Sequence, residues 1–371
     1  MNLLKKAAWT SLLLLPLMAS LFCNKNNDNN NEPPGAVELK DSVIASGLSH
    51  VWEILWGPDN HIWMTERGGR ISRLNPATGV VTPITTIAEV QANGEGGLLG
   101  MVLHPNFQVT PHVFVSYNYT DGANYREKVV RFTYNSTNNT LAGAQTIIDN
   151  INASNIHNGS RLVIVNDKLF ITTGDASNDG LAQSTSSRNG KVLRVNLDGS
   201  IPADNPVAGN PYWSLGHRNP QGLVYANNRL YSSEHGPSND DEINIIEKGK
   251  NYGWPTVHGF CNTSSEQMFC TANDVVQPLT AWTPTIATAG LDYYNNDQIP
   301  QWKNSLLLVT LKDATLYQLK LNNDFDRITN TNKYYSGDYG RMRDVCISPD
   351  GKVYISTSNG SNDRIIEIRR K

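Results

Sequence analysis

Short apolar runs alternate along most of the chain with clusters of Gly, Pro, Asn, Asp and Ser, and the runs recur in a fixed order. One kind of run starts in turn residues and ends near Ser or Thr, as in Pro58–Thr65, Asp167–Thr172, Asn228–Ser233 and Asp350–Ser356. Looser copies stand at Pro111–Ser116 and Asn304–Thr310. A segment of alternating polarity follows each copy, at Arg70–Leu74, Val129–Tyr134, Val192–Leu197, Glu242–Ile246, Leu316–Leu321 and Ile365–Ile368. Another apolar run precedes each, at Val51–Trp56, Leu98–Leu103, Leu162–Val165, Gly222–Tyr225, Leu291–Tyr294 and Val345–Ile347. A period of two bounded by turn residues predicts strands, and long stretches of helical period are absent. Six such units at intervals of about 50–60 residues match the spacing of propeller blades. The pattern therefore predicts an all-β chain, a six-bladed β-propeller over residues 36–371 with no second domain. A large β-sandwich or an irregular β-solenoid is the alternative.

The first 35 residues follow a different pattern. Lys5 and Lys6 precede an apolar run from Ala7 to Phe22, broken only by Thr10, Ser11, Pro16 and Ser20, and this reads as a secretory signal over residues 1–23. Residues 24–35, nearly all Asn at first and then Glu32, Pro33, Pro34 and Gly35, read as a flexible polar linker. The order Ser20, Leu21, Phe22, Cys23 resembles a bacterial lipoprotein processing site, with Cys23 as the acylated residue; a plain signal peptide is the other reading. Either way the body is expected to be exported, periplasmic or held at the outer membrane or cell surface as a lipoprotein, with membrane contact only through that anchor. Elsewhere no stretch approaches the ~18 apolar residues that span a bilayer. Cys261 and Cys270 flank a polar loop that a disulfide closes in an oxidising compartment, whereas Cys346, between Val345 and Ile347, reads as a buried thiol.

Composition narrows the chemistry. The 371 residues carry a net charge of −3 with 18% charged residues, which argues against a nucleic-acid partner held by bulk positive charge. Charge is nevertheless focused locally. In a propeller the first strand of each blade lines the central channel, so the loops leading into those strands converge on one face. They carry His50, Glu95, His157, Arg218 with Asn219, the segment 285–290, and Arg341 with Arg343. Three arginines, a glutamate and histidines at one mouth suit an anionic ligand, although each arginine taken alone reads equally as a solvated or paired turn residue. The glycines at 94, 96 and 97 form no dinucleotide fingerprint, because Leu99 stands where the third Gly belongs. The run from Glu234 to Glu242 joins carboxylates to a Gly236–Pro237 corner. That donor set suits a hard cation such as calcium, or a solvated acidic turn.

Five motifs in order carry a resemblance. They are Gly94–Gly100 with His104–Phe107, His157–Leu162, Gly190–Pro202, Gly216–Gly222 and Asn251–Pro255. Together they resemble the soluble quinoprotein glucose dehydrogenase and aldose sugar dehydrogenase family, over about residues 45–369. The resemblance implies a six-bladed propeller that binds pyrroloquinoline quinone (PQQ), a tricarboxylate o-quinone, over its axis. It further implies oxidation of aldose sugars at C1 to lactones, and an external electron acceptor whose identity the motifs do not encode. By position His157 matches the family's general base, Arg218 and Asn219 the residues beside the reactive quinone carbonyl, and Lys312, Arg341 and Arg343 the cations that hold the carboxylates. Gly236 and Pro237 match carbonyl donors to the calcium that also binds the quinone, and Glu242 and Tyr252 match ligands of a second, structural calcium.

Three positions depart from the glucose-specific members. Glu95 replaces a Gln beside the sugar, Ile156 replaces an Asp next to the base, and Thr283 replaces a Trp over the sugar; long insertions are missing as well. The resemblance is thus to the shorter dehydrogenases of broad specificity. Two other functions fit the same residues: a calcium-dependent propeller hydrolase of sugar lactones, and a non-catalytic propeller that binds a ligand or a protein.

Overall fold

The computed structural model describes residues 35–371. The expected signal segment, Cys23 and the Asn-rich segment as far as residue 34 lie outside the described residues. The chain forms six four-stranded antiparallel sheets, the blades of a β-propeller. Blade one is Val51–Trp56, Ile62–Glu66, Arg70–Leu74 and Val81–Thr86, ordered from the axis outwards. Blades two to five repeat the plan with inner strands Leu98–Leu103, Gly159–Val165, Pro220–Ala226 and Thr288–Tyr294. Blade six takes three strands from Met342–Ile347, Val353–Thr357 and Asp363–Arg370, and its outer strand from Leu39–Leu48. That first strand pairs antiparallel with the last, Leu39 opposite Arg370, and so closes the ring.

Apolar residues on both faces of the strands explain the packing. Six buried clusters each span one pair of neighbouring blades, for example Trp63 and Ile71 with Leu98 and Val115 between blades one and two. Each blade is thus covered on both faces, and the core of the described residues is divided among these six clusters. Cys346 is buried and unpaired between blades six and one, where burial pushes its thiol pKa up.

Four inner strands begin earlier than the apolar runs, because polar residues or glycine interrupt the apolar pattern in their opening three residues. Gly159, Ser160 and Arg161 open blade three, and Met342, Arg343 and Asp344 open blade six. All six inner strands carry a register shift in this opening stretch, such as Gly159/Leu162, Thr288/Leu291 and Met342/Asp344. Bulges re-aim side chains at sheet rims. Here they turn polar residues towards the channel at one end of the ring.

The Cys261–Cys270 disulfide is formed, but the segment between the cysteines is not a loop throughout. A helix occupies Ser264–Asn273, started by a capping box in which Thr263 and Glu266 satisfy each other's backbone N–H groups. Among the described residues no helix is long and apolar enough to cross a membrane.

Candidate active site

His157 stands just before the inner strand of blade three, in the left-handed region at φ 60°. A non-glycine residue there is strained, and such residues persist where their surroundings hold them. The support comes from the neighbouring strand. Gly174 follows Lys168–Thr173, and a Cβ on it would lie 1.9 Å from the His157 carbonyl oxygen, so only glycine lets the two segments approach. The next residue, Asp175, is buried, and its Oδ1 lies 2.8 Å from His157 Nδ1. The same carboxylate accepts Ser177 N–H on Oδ1 (2.8 Å) and Trp254 Nε1–H on Oδ2 (2.9 Å). A carboxylate on Nδ1 keeps the neutral imidazole's proton on that nitrogen and leaves Nε2 as the basic one. Ile156, which precedes the histidine, is exposed, and the carboxylate paired with the ring comes from Asp175, two residues beyond the strand Lys168–Thr173.

Blade four contributes Arg218 and Asn219. The Arg218 N–H donates to the buried Glu234, its carbonyl accepts Asp175 N–H at 2.8 Å, and its guanidinium lies 5.2 Å from the Trp254 ring centre. Burial lowers the Arg218 pKa, opposed first by Asp175 and then by Glu234, Asp241 and Glu95. Asn219 is fully buried; its Oδ1 accepts Gly159 N–H (3.1 Å), while its Nδ2 has no partner.

The three expected carboxylate-binding cations occupy different settings. Arg343 lies within a strand and not in a loop, is buried, and donates from Nη1 to Gln221 Oε1 at 2.6 Å. Burial pushes its pKa down to about 10, against the pull of Glu95. Arg341 is exposed and donates from Nε to the Ser358 carbonyl (3.2 Å), and Lys312 Nζ reaches Thr285 Oγ1 (3.1 Å). A fourth cation, Arg67, was not among the expected residues; its Nη1 donates to the Gly94 carbonyl at 2.5 Å. Glu95 is the common neighbour, since its charge acts on Arg67, Arg218 and Arg343, and its Oε2 faces His157 N–H at 3.4 Å.

Gly236 and Pro237 form a tight corner after the strand Arg229–Glu234, where a Cβ on Gly236 would meet the Asn239 carbonyl oxygen at 1.9 Å. Asp241 holds it: one carboxylate oxygen accepts Gly236 N–H (2.8 Å) and the other accepts the N–H groups of Ile286 and Ala287. A narrow cavity beside the corner is lined by Glu234, Gly236, Pro237, Asp240, Glu242 and Tyr252. Burial pushes the Glu242 carboxyl up to about 8, and Glu234 adds to the effect. Glu242 accepts Gly259 N–H (2.7 Å) and Asn244 Nδ2–H (2.8 Å). The Tyr252 hydroxyl donates to the Ile245 carbonyl (2.5 Å) and accepts Glu247 N–H (2.8 Å), so the oxygen this residue has to offer a metal is its main-chain carbonyl. Thr283 bonds Asp240 through Oγ1 (2.8 Å).

Arg67, Asp175 and His235 share one origin: each lies one or two residues beyond the second strand of its blade. In an antiparallel blade that end shares a face with the start of the first strand. Reading only the loops before the first strands passes over them. His235 bonds the Thr288 carbonyl through Nε2 (2.5 Å), and burial lowers its pKa.

The model of the Glucose / Sorbosone dehydrogenase family matches residues 48–367. The quinoprotein glucose dehydrogenase B of Acinetobacter calcoaceticus is 32% identical, over 94% of this chain and 89% of its own. The aldose sugar dehydrogenase YliI of Escherichia coli (strain K12) is also 32% identical, over 89% of this chain and 92% of its own. Among solved structures, the PQQ-bound form of aldose sugar dehydrogenase from Streptomyces coelicolor aligns with a TM-score of 0.77 at 30% identity, covering 91% of this chain and 99% of that one. With the family match running through all six blades and both sides of the His157 site, the chain belongs to the glucose/sorbosone dehydrogenase family.

Proposed function

We propose that the chain oxidises aldose sugars at C1 to lactones, with PQQ as the electron-accepting cofactor and calcium beside it. Four donor nitrogens carry the reading. Asn219 Nδ2 and the Nε atoms of Arg67, Arg218 and Arg343, three residues on which the Glu95 charge acts, are buried without a hydrogen-bond partner. Buried orphan donors are costly. A planar ligand rich in carboxylate and carbonyl oxygens complements them, and a neutral sugar alone does not neutralise the guanidinium groups.

In this reading Arg218 and Asn219 hold the quinone carbonyl side, and Arg343, Arg341 and Lys312 hold the carboxylates. When bound, the o-quinone supplies a two-electron acceptor for the hydride that leaves C1. His157 takes the C1 hydroxyl proton on Nε2, and Asp175 stabilises the imidazolium that results. Arg218 offers positive charge where negative charge develops. Glu95 stands beside His157 to accept a hydrogen bond from a sugar hydroxyl.

Calcium fits the Gly236–Pro237 corner through its oxygen donors. Among the described residues no three His, Cys, Asp or Glu side chains form a cage by themselves, so main-chain carbonyls complete the set. Glu242, held up to about 8 in its absence, and the Tyr252 carbonyl are the donors for a second calcium.

Reconstitution tests the reading. Purified protein with PQQ and calcium should reduce a dye in the presence of aldoses and release the lactone. Lactone hydrolysis by the metal-loaded protein without PQQ would favour the hydrolase, and sugar or protein binding without turnover would favour a binding propeller. Export is part of the proposal, supported by the Cys261–Cys270 disulfide. Cys23→Ala should move the protein from the membrane fraction to the soluble periplasm; wild-type protein already soluble, with Cys23 unmodified, would reject the anchor.

A further inference from the structure

We infer that Trp254 is a positioning residue that sets the basicity of His157 through Asp175. This rests on the reading of His157 as the base. The geometry is a three-part relay: Trp254 Nε1–H to Asp175 Oδ2 at 2.9 Å, and Asp175 Oδ1 to His157 Nδ1 at 2.8 Å. Both oxygens of one buried carboxylate are thereby committed, one to the base and one to an indole that cannot ionise.

The indole is itself fixed from several sides. Trp254 N–H donates to the Gly216 carbonyl (3.0 Å), its own carbonyl accepts Gln183 Nε2–H (2.6 Å), and its ring lies 5.3 Å from the stacked ring of His258. The Arg218 guanidinium lies 5.2 Å from the same ring. One side chain therefore touches the partner of the base and the cation assigned to the quinone carbonyl.

The physical consequence has a definite sign. A neutral donor on Oδ2 draws charge from the carboxylate and so weakens its pull on an imidazolium at Oδ1. Removing that donor leaves a more strongly negative Asp175, still held by Ser177 N–H, and the protonated form of His157 gains. The other charged groups facing this region are Glu95 from the loop before blade two, Arg218 from the loop before blade four, and His258 behind the indole; a phenyl ring at position 254 keeps an aromatic face towards the last two.

The test uses Trp254→Phe, which keeps an aromatic ring and deletes the N–H. Its shape-preserving control is benzothienylalanine placed at position 254 by amber suppression, which keeps the bicyclic outline if the Phe variant folds poorly. Histidine NMR titration of the apo protein should show the His157 pKa raised by about half a unit to one unit. In the loaded enzyme, at saturating PQQ, the acid limb of kcat should move to higher pH by the same amount. In an Asp175→Asn background the Trp254→Phe shift should vanish. An unmoved or lowered His157 pKa, or a shift that survives in Asp175→Asn, overturns the inference. The apo titration needs neither sugar nor cofactor, so a moved pKa in a protein without dehydrogenase activity would reject the proposed function while leaving the relay in place.

Discussion

Arg343 on blade six donates to the Gln221 side chain on blade four at 2.6 Å, and the Gln221 carbonyl accepts from Arg161 on blade three at 2.9 Å. Arg161 continues to Glu53 on blade one (2.6 Å) and Asp344 on blade six (3.0 Å). A neutral amide thus holds the buried guanidinium assigned to the cofactor, and Glu95 is the anion whose charge acts on it. A charge-assisted contact contributes ~1.5–3 kcal/mol, which is roughly 10- to 100-fold in affinity. Arg343→Ala should weaken PQQ binding by about that factor in a titration, with activity largely recovered at saturating cofactor. Gln221→Leu should weaken it less. Unchanged PQQ affinity in Arg343→Ala would remove this residue from the cofactor site.

His157→Ala should separate from that behaviour. Its PQQ affinity should remain within a few-fold of wild type, while kcat falls by about 10²- to 10⁴-fold at any cofactor concentration, the range for a positioned base. Loss of cofactor binding with normal turnover at saturation would reassign His157 to the cofactor.

Glu127 provides a test of stability against pH. It is buried between Ser116 Oγ (2.8 Å) and Ser160 Oγ (2.7 Å) on one oxygen, with no partner on the other, and burial pushes its pKa up to about 8. The folded state retains a proton that the unfolded chain releases near the ordinary carboxylate value. This group's contribution to stability is therefore full below that value and declines as pH rises through about 8. Glu127→Gln mimics the protonated form, so denaturant melts should show the variant gaining on wild type between pH 5 and 8, by up to about 4 kcal/mol. A constant difference across that range would show that Glu127 is ionised in the fold.

The Cys261–Cys270 bridge begins two residues after Gly259, whose N–H donates to Glu242. Cys261→Ser with Cys270→Ser should lower stability by about 2–3 kcal/mol. It should also weaken calcium binding in a chelator competition, because Glu242 loses a fixed neighbour. Calcium affinity equal to wild type would show that the Glu242 cavity does not depend on the bridge.

The sequence exposes the blades clearly because the two inner strands of each blade are buried on both faces and show as apolar runs, whereas the half-exposed outer strands, such as Val81–Thr86 and Ile328–Tyr334, leave no such run. It exposes Arg218, Asn219 and His157 because they immediately precede such runs. Asp175 and Arg67 escape for a geometric reason: their strands end at the same face as the inner strands begin, a fact of antiparallel pairing and not of local pattern. The polar openings of blades three and six read as loops because a bulge interrupts the alternation. Only pairing across the sheet turns Arg161 and Arg343 into strand residues. The helix between the bridged cysteines escapes because its hydrophobic residues form no face.

The strand Leu39–Leu48 fills the outer edge of the blade whose other strands come from residues 342–370. During synthesis this segment emerges early and finds no partner until Asp363–Arg370 has been made, so the ring is sealed by the strand pairing of greatest sequence separation among the described residues. Such long-range closure is entropically expensive and late. Trimming it at residue 49 would leave blade six with an open edge, free to capture the same strand from another copy.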